Sequence, residues 1–288
     1  MKSFVQAFIQ ARAADGVTPK TLTWHRTSLN RFTIWAESEG KVDPESWTVI
    51  DIRAYIATLQ ADKRLSATSV ATYVRSLRAF LKWLHDEELL PTNLVAKVKA
   101  PKSPILQKQP FTDSELRKLL SAAESSRDKA IIAVLLDCGL RADELCQLKV
   151  SDIVFENRTL TVMGKGRKVR TVPFSSRTAT ILRKALIKND SEYALPSRTN
   201  QALTTNGLLY ALVRIGKKAG VEHVHPHKFR HTMSVSYLRN GGDPLSLQRI
   251  LGHTTLAMTN HYVSMATTDM SRVHDIASPM SRLMGGAK

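Results

Sequence analysis

Near the C-terminal end, the types and spacing of a few side chains suit covalent chemistry. Leu251-Gly252-His253 is followed, nine residues beyond the histidine, by Tyr262. Gly252 can close a helix carrying Leu247, Ile250 and Leu251, because glycine takes the left-handed cap without steric cost. His253 then falls on a loop. Leu256, Ala257 and Thr259 form a second short helical run that ends near Tyr262. A phenol can act as a covalent nucleophile, but its free pKa of about 10 requires a partner that takes or shares the proton.

Three other places offer such partners. Arg141 follows an apolar run that stops at Cys138-Gly139-Leu140 and would start a helix, where its charge opposes the macrodipole. Glu144, three residues on, can hold it, and in isolation the two read first as a structural ion pair. Lys165 lies in Gly164-Lys165-Gly166-Arg167-Lys168, a turn between two strand-like runs whose glycines supply positive φ. Such turns are commonly basic and exposed, yet a lysine on a hairpin tip can also reach over a bound substrate. The third place is His223-Val224-His225-Pro226-His227-Lys228-Phe229-Arg230-His231. His227 and Arg230 are i, i+3 at a helix start, so both face one way, and the free N–H groups there suit an anion. His227 and His231 at i, i+4 also match a metal-site spacing. Against that, Glu222 is the only acid close by, no cysteine joins them, and an arginine intervenes. No metal and no cofactor are expected.

Two arginines, a lysine, two histidines and a tyrosine fit a phosphoryl centre. Arginine forks match phosphate oxygens and stay charged. As pre-organised donors they can stabilise a pentavalent transition state without a metal. Lysine can protonate a leaving oxygen, and histidine can shuttle the phenolic proton.

The elements that must position these groups read as mostly helical. In the first part, Thr18-Pro19, Thr48 and Ser66 are helix starts, each followed by apolar residues at helical spacing. Lys20, Arg26, Arg31, Arg75, Arg78 and Lys82 lie off those stripes; they suit phosphate contacts and equally a solvated face. Residues 97–110 hold three prolines and four lysines, among them Lys99 and Lys102, and read as a basic extended linker. Thr112-Asp113-Ser114-Glu115 is a capping box that opens a second domain. In it a small antiparallel β-meander (Ile153–Phe155, Thr159–Val162, Val169–Pro173) interrupts helices expected around Ala179–Lys188, Leu208–Lys218 and Pro226–Arg239. The fold class is therefore mainly α with a small antiparallel meander, in two domains: 1–96 helical, 97–110 linker, 111–272 α+β and catalytic, 273–288 a tail.

The chain of 288 residues is 43% hydrophobic and carries 42 Lys+Arg against 25 Asp+Glu, a formal charge of +17. Both halves are basic, which favours a polyanion gripped from two sides, nucleic acid before a membrane surface. No run approaches the ~20 apolar residues of a membrane span. The N-terminus is too interrupted for a signal peptide. Cys138 and Cys146 are expected to be buried free thiols, and the protein to be cytoplasmic.

The ordered set Gly139-Leu140-Arg141-Ala142-Asp143-Glu144-Leu145, Gly164-Lys165-Gly166, His227-Lys228-Phe229-Arg230-His231, Leu251-Gly252-His253 and Tyr262 resembles the tyrosine recombinases, or phage integrase family. The resemblance covers nearly the whole chain, since residues 1–96 look like that family's core-binding domain. It implies that Arg141, His227, Arg230 and His253 bind and activate the scissile phosphate. It makes Lys165 the general acid, Tyr262 the nucleophile of a 3′-phosphotyrosyl link, and Glu144 a support for Arg141. It also implies double-stranded DNA recombination sites as the partner, a four-way junction, and a homotetramer on synapsed DNA. In that assembly Ile276, Met280, Leu283 and Met284 of the tail would contact a neighbour. The compact two-domain form suits a mobile-element recombinase first and a chromosome-dimer recombinase second. The rival readings are a silent DNA-binding protein, a type IB topoisomerase-like enzyme and a metal-dependent nuclease.

Overall fold

The computed structural model describes residues 1–101, 109–164, 168–187, 189–265, 274 and 278–280. The chain divides into two compact units, Met1–Gln107 and Lys108–Lys288.

The first unit is four helices: α1 (Lys2–Ala14), α2 (Pro19–Ser38), α3 (Val49–Ala61) and α4 (Ala67–Asp86), with 3-10 turns at Pro44–Ser46 and Leu94–Lys97. The starts follow the local chemistry read above. Thr18 accepts from the Thr21 N–H, with Pro19 in the first helical position. Thr48 and Asp51 form a reciprocal capping box, and Ser66 accepts from Ser69. Phe8, Leu29, Phe32, Ile52, Tyr55, Leu77, Phe80 and Leu84 fill the core. One polar pair is buried with them: His25 Nδ1 lies 2.9 Å from Ser76 Oγ. Val98, at the start of the expected linker, is 2% exposed and belongs to this core. Leu94 and Val98 are an apolar i, i+4 pair, and that small anchor outweighs the neighbouring lysines.

The second unit is built around α6 (Ser126–Cys138). Ala130 to Leu135 are buried on every side, as a helix apolar all round requires. It packs against α8 (Ser176–Leu186) and α10 (Pro226–Arg239). Around these lie α5 (Asp113–Ala122), α7 (Ala142–Cys146), α9 (Thr205–Ala219), α11 (Pro244–Leu251) and α12 (Leu256–Val263). The strands β1 (Ile153–Val154), β2 (Thr159–Met163) and β3 (Val169–Pro173) form one antiparallel meander in the order β1-β2-β3. Leu160 faces Val172 and Val162 faces Arg170 across β2 and β3. Leu160, Val162 and Val172 point into the core, as the period of two demands.

Cys138 and Cys146 are free and buried, and burial pushes the Cys146 thiol up to about 12. Among the described residues, no helix is long and apolar enough to cross a membrane. Of the tail residues named above, Met280 is described and exposed; Ile276, Leu283 and Met284 lie outside the described residues.

Candidate active site

The site begins where α6 ends. Gly139 closes that helix in the left-handed region, at φ +61°. A Cβ there would lie 3.1 Å from Leu251 Cδ2 and 3.2 Å from the Met233 sulfur. Glycine thus lets α6, α10 and α11 converge. Arg230, one turn into α10, is 3% exposed. Its Nη1 donates to the Gly139 carbonyl and its Nη2 to the Leu251 carbonyl, each at 2.7 Å. Helix C-termini leave such carbonyls unsatisfied and favour a cation beside them.

Arg141 caps α7. Its N–H donates to Glu144 Oε2 at 2.8 Å and its Nη1 to Oε1 at 2.9 Å. Glu144 has a second partner that the sequence reading did not single out. Arg170 of β3 donates Nη1 to Oε1 at 2.7 Å and Nη2 to Oε2 at 2.8 Å. Its Nε donates to the Ile250 carbonyl at 2.8 Å. A signal for it exists: Arg170 is two residues before core-facing Val172, so the strand period turns it inward, where a cation needs a carboxylate.

His253 follows Gly252, which closes α11 at φ +63°. Its Nδ1 lies 3.0 Å from Thr259 Oγ1 on α12. If Nδ1 donates, Nε2 is the basic nitrogen; if it accepts, Nε2 carries a proton for a phosphate oxygen. Tyr262, on α12, is 7% exposed. Its ring stacks on His253, with centroids 6.1 Å apart and planes at 14°, and tilts against His231 at 5.5 Å.

Arg141, His227, Arg230, His253 and Tyr262 line one cleft of about 580 Å³, with Thr205 and Asn206 at the start of α9. Five of the six expected catalytic residues therefore meet in one chain, with the tyrosine in its own chain's cleft. Lys165 lies outside the described residues, as does Lys102. In the first unit Lys20, Arg26, Arg75, Lys82 and Lys99 are exposed. Arg31 pairs with Asp62, Arg78 donates to the Val95 carbonyl at 3.0 Å, and Lys82 donates to Asp86 at 2.6 Å. Among the described residues, no group of three or more His, Cys, Asp or Glu is arranged to hold a metal ion.

The electrostatics are those of an anion site. Burial pushes the Glu144 carboxyl up, but the hydrogen bonds from Arg170 and Arg141 prevail and hold it at about 2. Burial, then the neighbouring Arg141 charge, lowers Arg230 to about 10. Burial, then Arg230, Arg141 and Arg170, lowers His253 to about 4, so it is neutral at pH 7. Three guanidinium groups face one carboxylate.

These values fix a pH dependence of stability. The unfolded chain binds more protons at His253 between about 4 and its ordinary 6.5, so stability rises with pH through that window. The Glu144 contribution is present above the ordinary 4.5 and is lost as pH falls toward about 2. His253→Asn is expected to flatten only the upper window, read as the urea midpoint at stepped pH. An unchanged slope there would show that His253 titrates normally.

Two family descriptions match the sequence: the phage integrase family over residues 109–268, and the phage integrase N-terminal SAM-like domain over residues 4–90. The chain is 31% identical over 280 residues to tyrosine recombinase XerD of Proteus mirabilis, covering 92% of this chain and 89% of that one. Its fold is similar to a lambda integrase dimer bound to a COC′ core site, with a TM-score of 0.76 and 21% identity over 90% of this chain and 96% of that one. It is also similar to a lambda integrase tetramer bound to a Holliday junction, with a TM-score of 0.72 and 21% identity over 88% and 77%. With the arginines, histidines and tyrosine of one cleft in the expected order, the chain belongs to the phage integrase family of tyrosine recombinases.

Proposed function

We propose that this cleft cuts and rejoins DNA at a specific site, as a recombinase. The observation that carries the reading is the convergence of Arg141, His227, Arg230 and His253 around Tyr262. Arg141 and Arg230 hold the non-bridging oxygens of the scissile phosphate, and His227 adds a hydrogen bond. The Tyr262 Oη–phosphorus bond forms as the bond from phosphorus to the 5′ oxygen breaks. His253, held neutral at pH 7, takes the phenolic proton, and Lys165 protonates the leaving 5′ oxygen. The product is a 3′-phosphotyrosyl ester and a free 5′-hydroxyl. A 5′-hydroxyl from a partner duplex then reverses the step. Two such exchanges pass through a Holliday junction.

Each step exchanges one phosphodiester for another, so no nucleotide has to be consumed. The arginines supply the positive charge that a metal supplies elsewhere. The likeness to a lambda integrase tetramer on a Holliday junction supports a homotetramer on synapsed DNA. The exposed Lys20, Arg26, Arg75 and Lys99 are the side chains assigned to the duplex backbone, in the cytoplasm where that DNA lies. Resolution or movement of a genetic element is the role, and inverted repeats flanking the gene would name the site.

A nicked duplex that loses its 5′-hydroxyl fragment after cleavage tests this. The protein is expected to trap as a covalent DNA adduct in the presence of EDTA. No adduct on any duplex that it binds would sink the proposal, and supercoil relaxation without site dependence would replace it with a topoisomerase.

A further inference from the structure

Arg170 lies behind the cleft rather than in its lining. Yet it joins the parts that line it. Nη1 and Nη2 grip both oxygens of Glu144, and Nε donates to the Ile250 carbonyl, three residues before His253. The side chain also lies against two glycines. A Cβ on Gly252 would be 3.0 Å from Arg170 Cδ and 3.2 Å from its Nε, and one on Gly164 would be 3.4 Å from its Nη1. Gly164, whose N–H donates to the Lys168 carbonyl at 2.8 Å, directly follows β2.

We propose that Arg170 is a positioning residue for strand cleavage, setting Arg141 through Glu144 and the His253 loop through the Ile250 carbonyl. The inference rests on the recombinase reading of the cleft. Its logic is competition for one carboxylate. Glu144 has two oxygens, and Arg170 occupies both in fork geometry. Arg141 is left with a single side-chain bond to Oε1, and its side chain stays 38% exposed at the cleft. Without Arg170, Glu144 turns its full charge on Arg141 and draws that guanidinium off the phosphate. The Ile250 carbonyl loses its donor at the same time, so the turn leading to His253 loosens. A lysine keeps the charge, but its donors sit on one nitrogen and cannot reproduce the fork on Glu144 together with the bond to the Ile250 carbonyl.

The test compares Arg170→Lys and Arg170→Gln with the full-length wild type on the nicked substrate. Adduct formation is followed in single turnover at saturating DNA, across pH, beside gel-shift affinity and thermal melting. Both variants are expected to fold and to bind duplex like the wild type. Each should form adduct about 100-fold more slowly, the scale of a small misplacement of reacting groups. In Arg170→Gln the acid limb of the rate should move up by about one pH unit, because Glu144 loses its main cationic partner. A Glu144→Gln, Arg170→Gln double variant should be no slower than the slower single one, since the residues act as a unit. A wild-type rate with an unmoved pH profile in either variant would overturn the proposal. So would failure of both to fold, which would make Arg170 a residue of the fold alone. Failure of the wild type to form adduct would count against the recombinase reading itself.

Discussion

Tyr262→Phe is expected to abolish the covalent protein–DNA product while leaving duplex binding and melting temperature unchanged. The aromatic ring is what the fold uses. It stacks on His253 and tilts against His231, and phenylalanine keeps both contacts. The hydroxyl is what the chemistry uses, and among the described residues that line the cleft Tyr262 is the one tyrosine. Removing a nucleophile from an assembled site costs at least about 10⁴-fold. The readout is the denaturation-resistant adduct on a nicked duplex, beside a gel shift at the same protein concentration. Adduct persisting in the phenylalanine variant would move the nucleophile to another residue. Loss of binding and adduct together would show instead that the hydroxyl is part of the fold.

The division between what could be read from the sequence and what could not follows interaction range. Thr18, Thr48, Ser66 and Thr112 cap the helices expected of them, because a cap is a bond across three residues. The meander follows from alternation, and its register pairs Leu160 with Val172. Arg141 and Glu144 are three apart and meet as expected. Partners far along the chain are a different matter. Arg170 reaches Glu144 across 26 residues, and no local pattern names that pair. Arg31 and Arg78 lie off the apolar stripes and suit phosphate contacts or a solvated face, yet they serve Asp62 and the Val95 carbonyl, 31 and 17 residues away. Periodicity tells which face a charge lies on; only the fold tells whether a partner waits there.

The same cluster sets the second large effect. Arg230→Ala is expected to lower the rate of adduct formation by about 10²–10³-fold, the loss typical of one pre-organised charge-stabilising donor. Its effect on stability should be much smaller, because two terms oppose each other. The variant leaves the Gly139 and Leu251 carbonyls without their donor, at about 1–3 kcal/mol each. It also removes a buried cation whose charged form is disfavoured by burial and by the Arg141 charge, which hold it down at about 10. Relief of that penalty is stabilising and works against the loss of the donors. The two offset each other in part, and the melting point is expected to fall by no more than several degrees. Three guanidinium groups around one carboxylate leave the cleft residues with an excess of positive charge, which a phosphate balances. Sulfate should therefore raise the wild-type melting point more than that of Arg230→Ala. An equal rise in both would mean that the anion binds elsewhere, and Arg230 would then be a brace between two helix ends with no share in holding the phosphate.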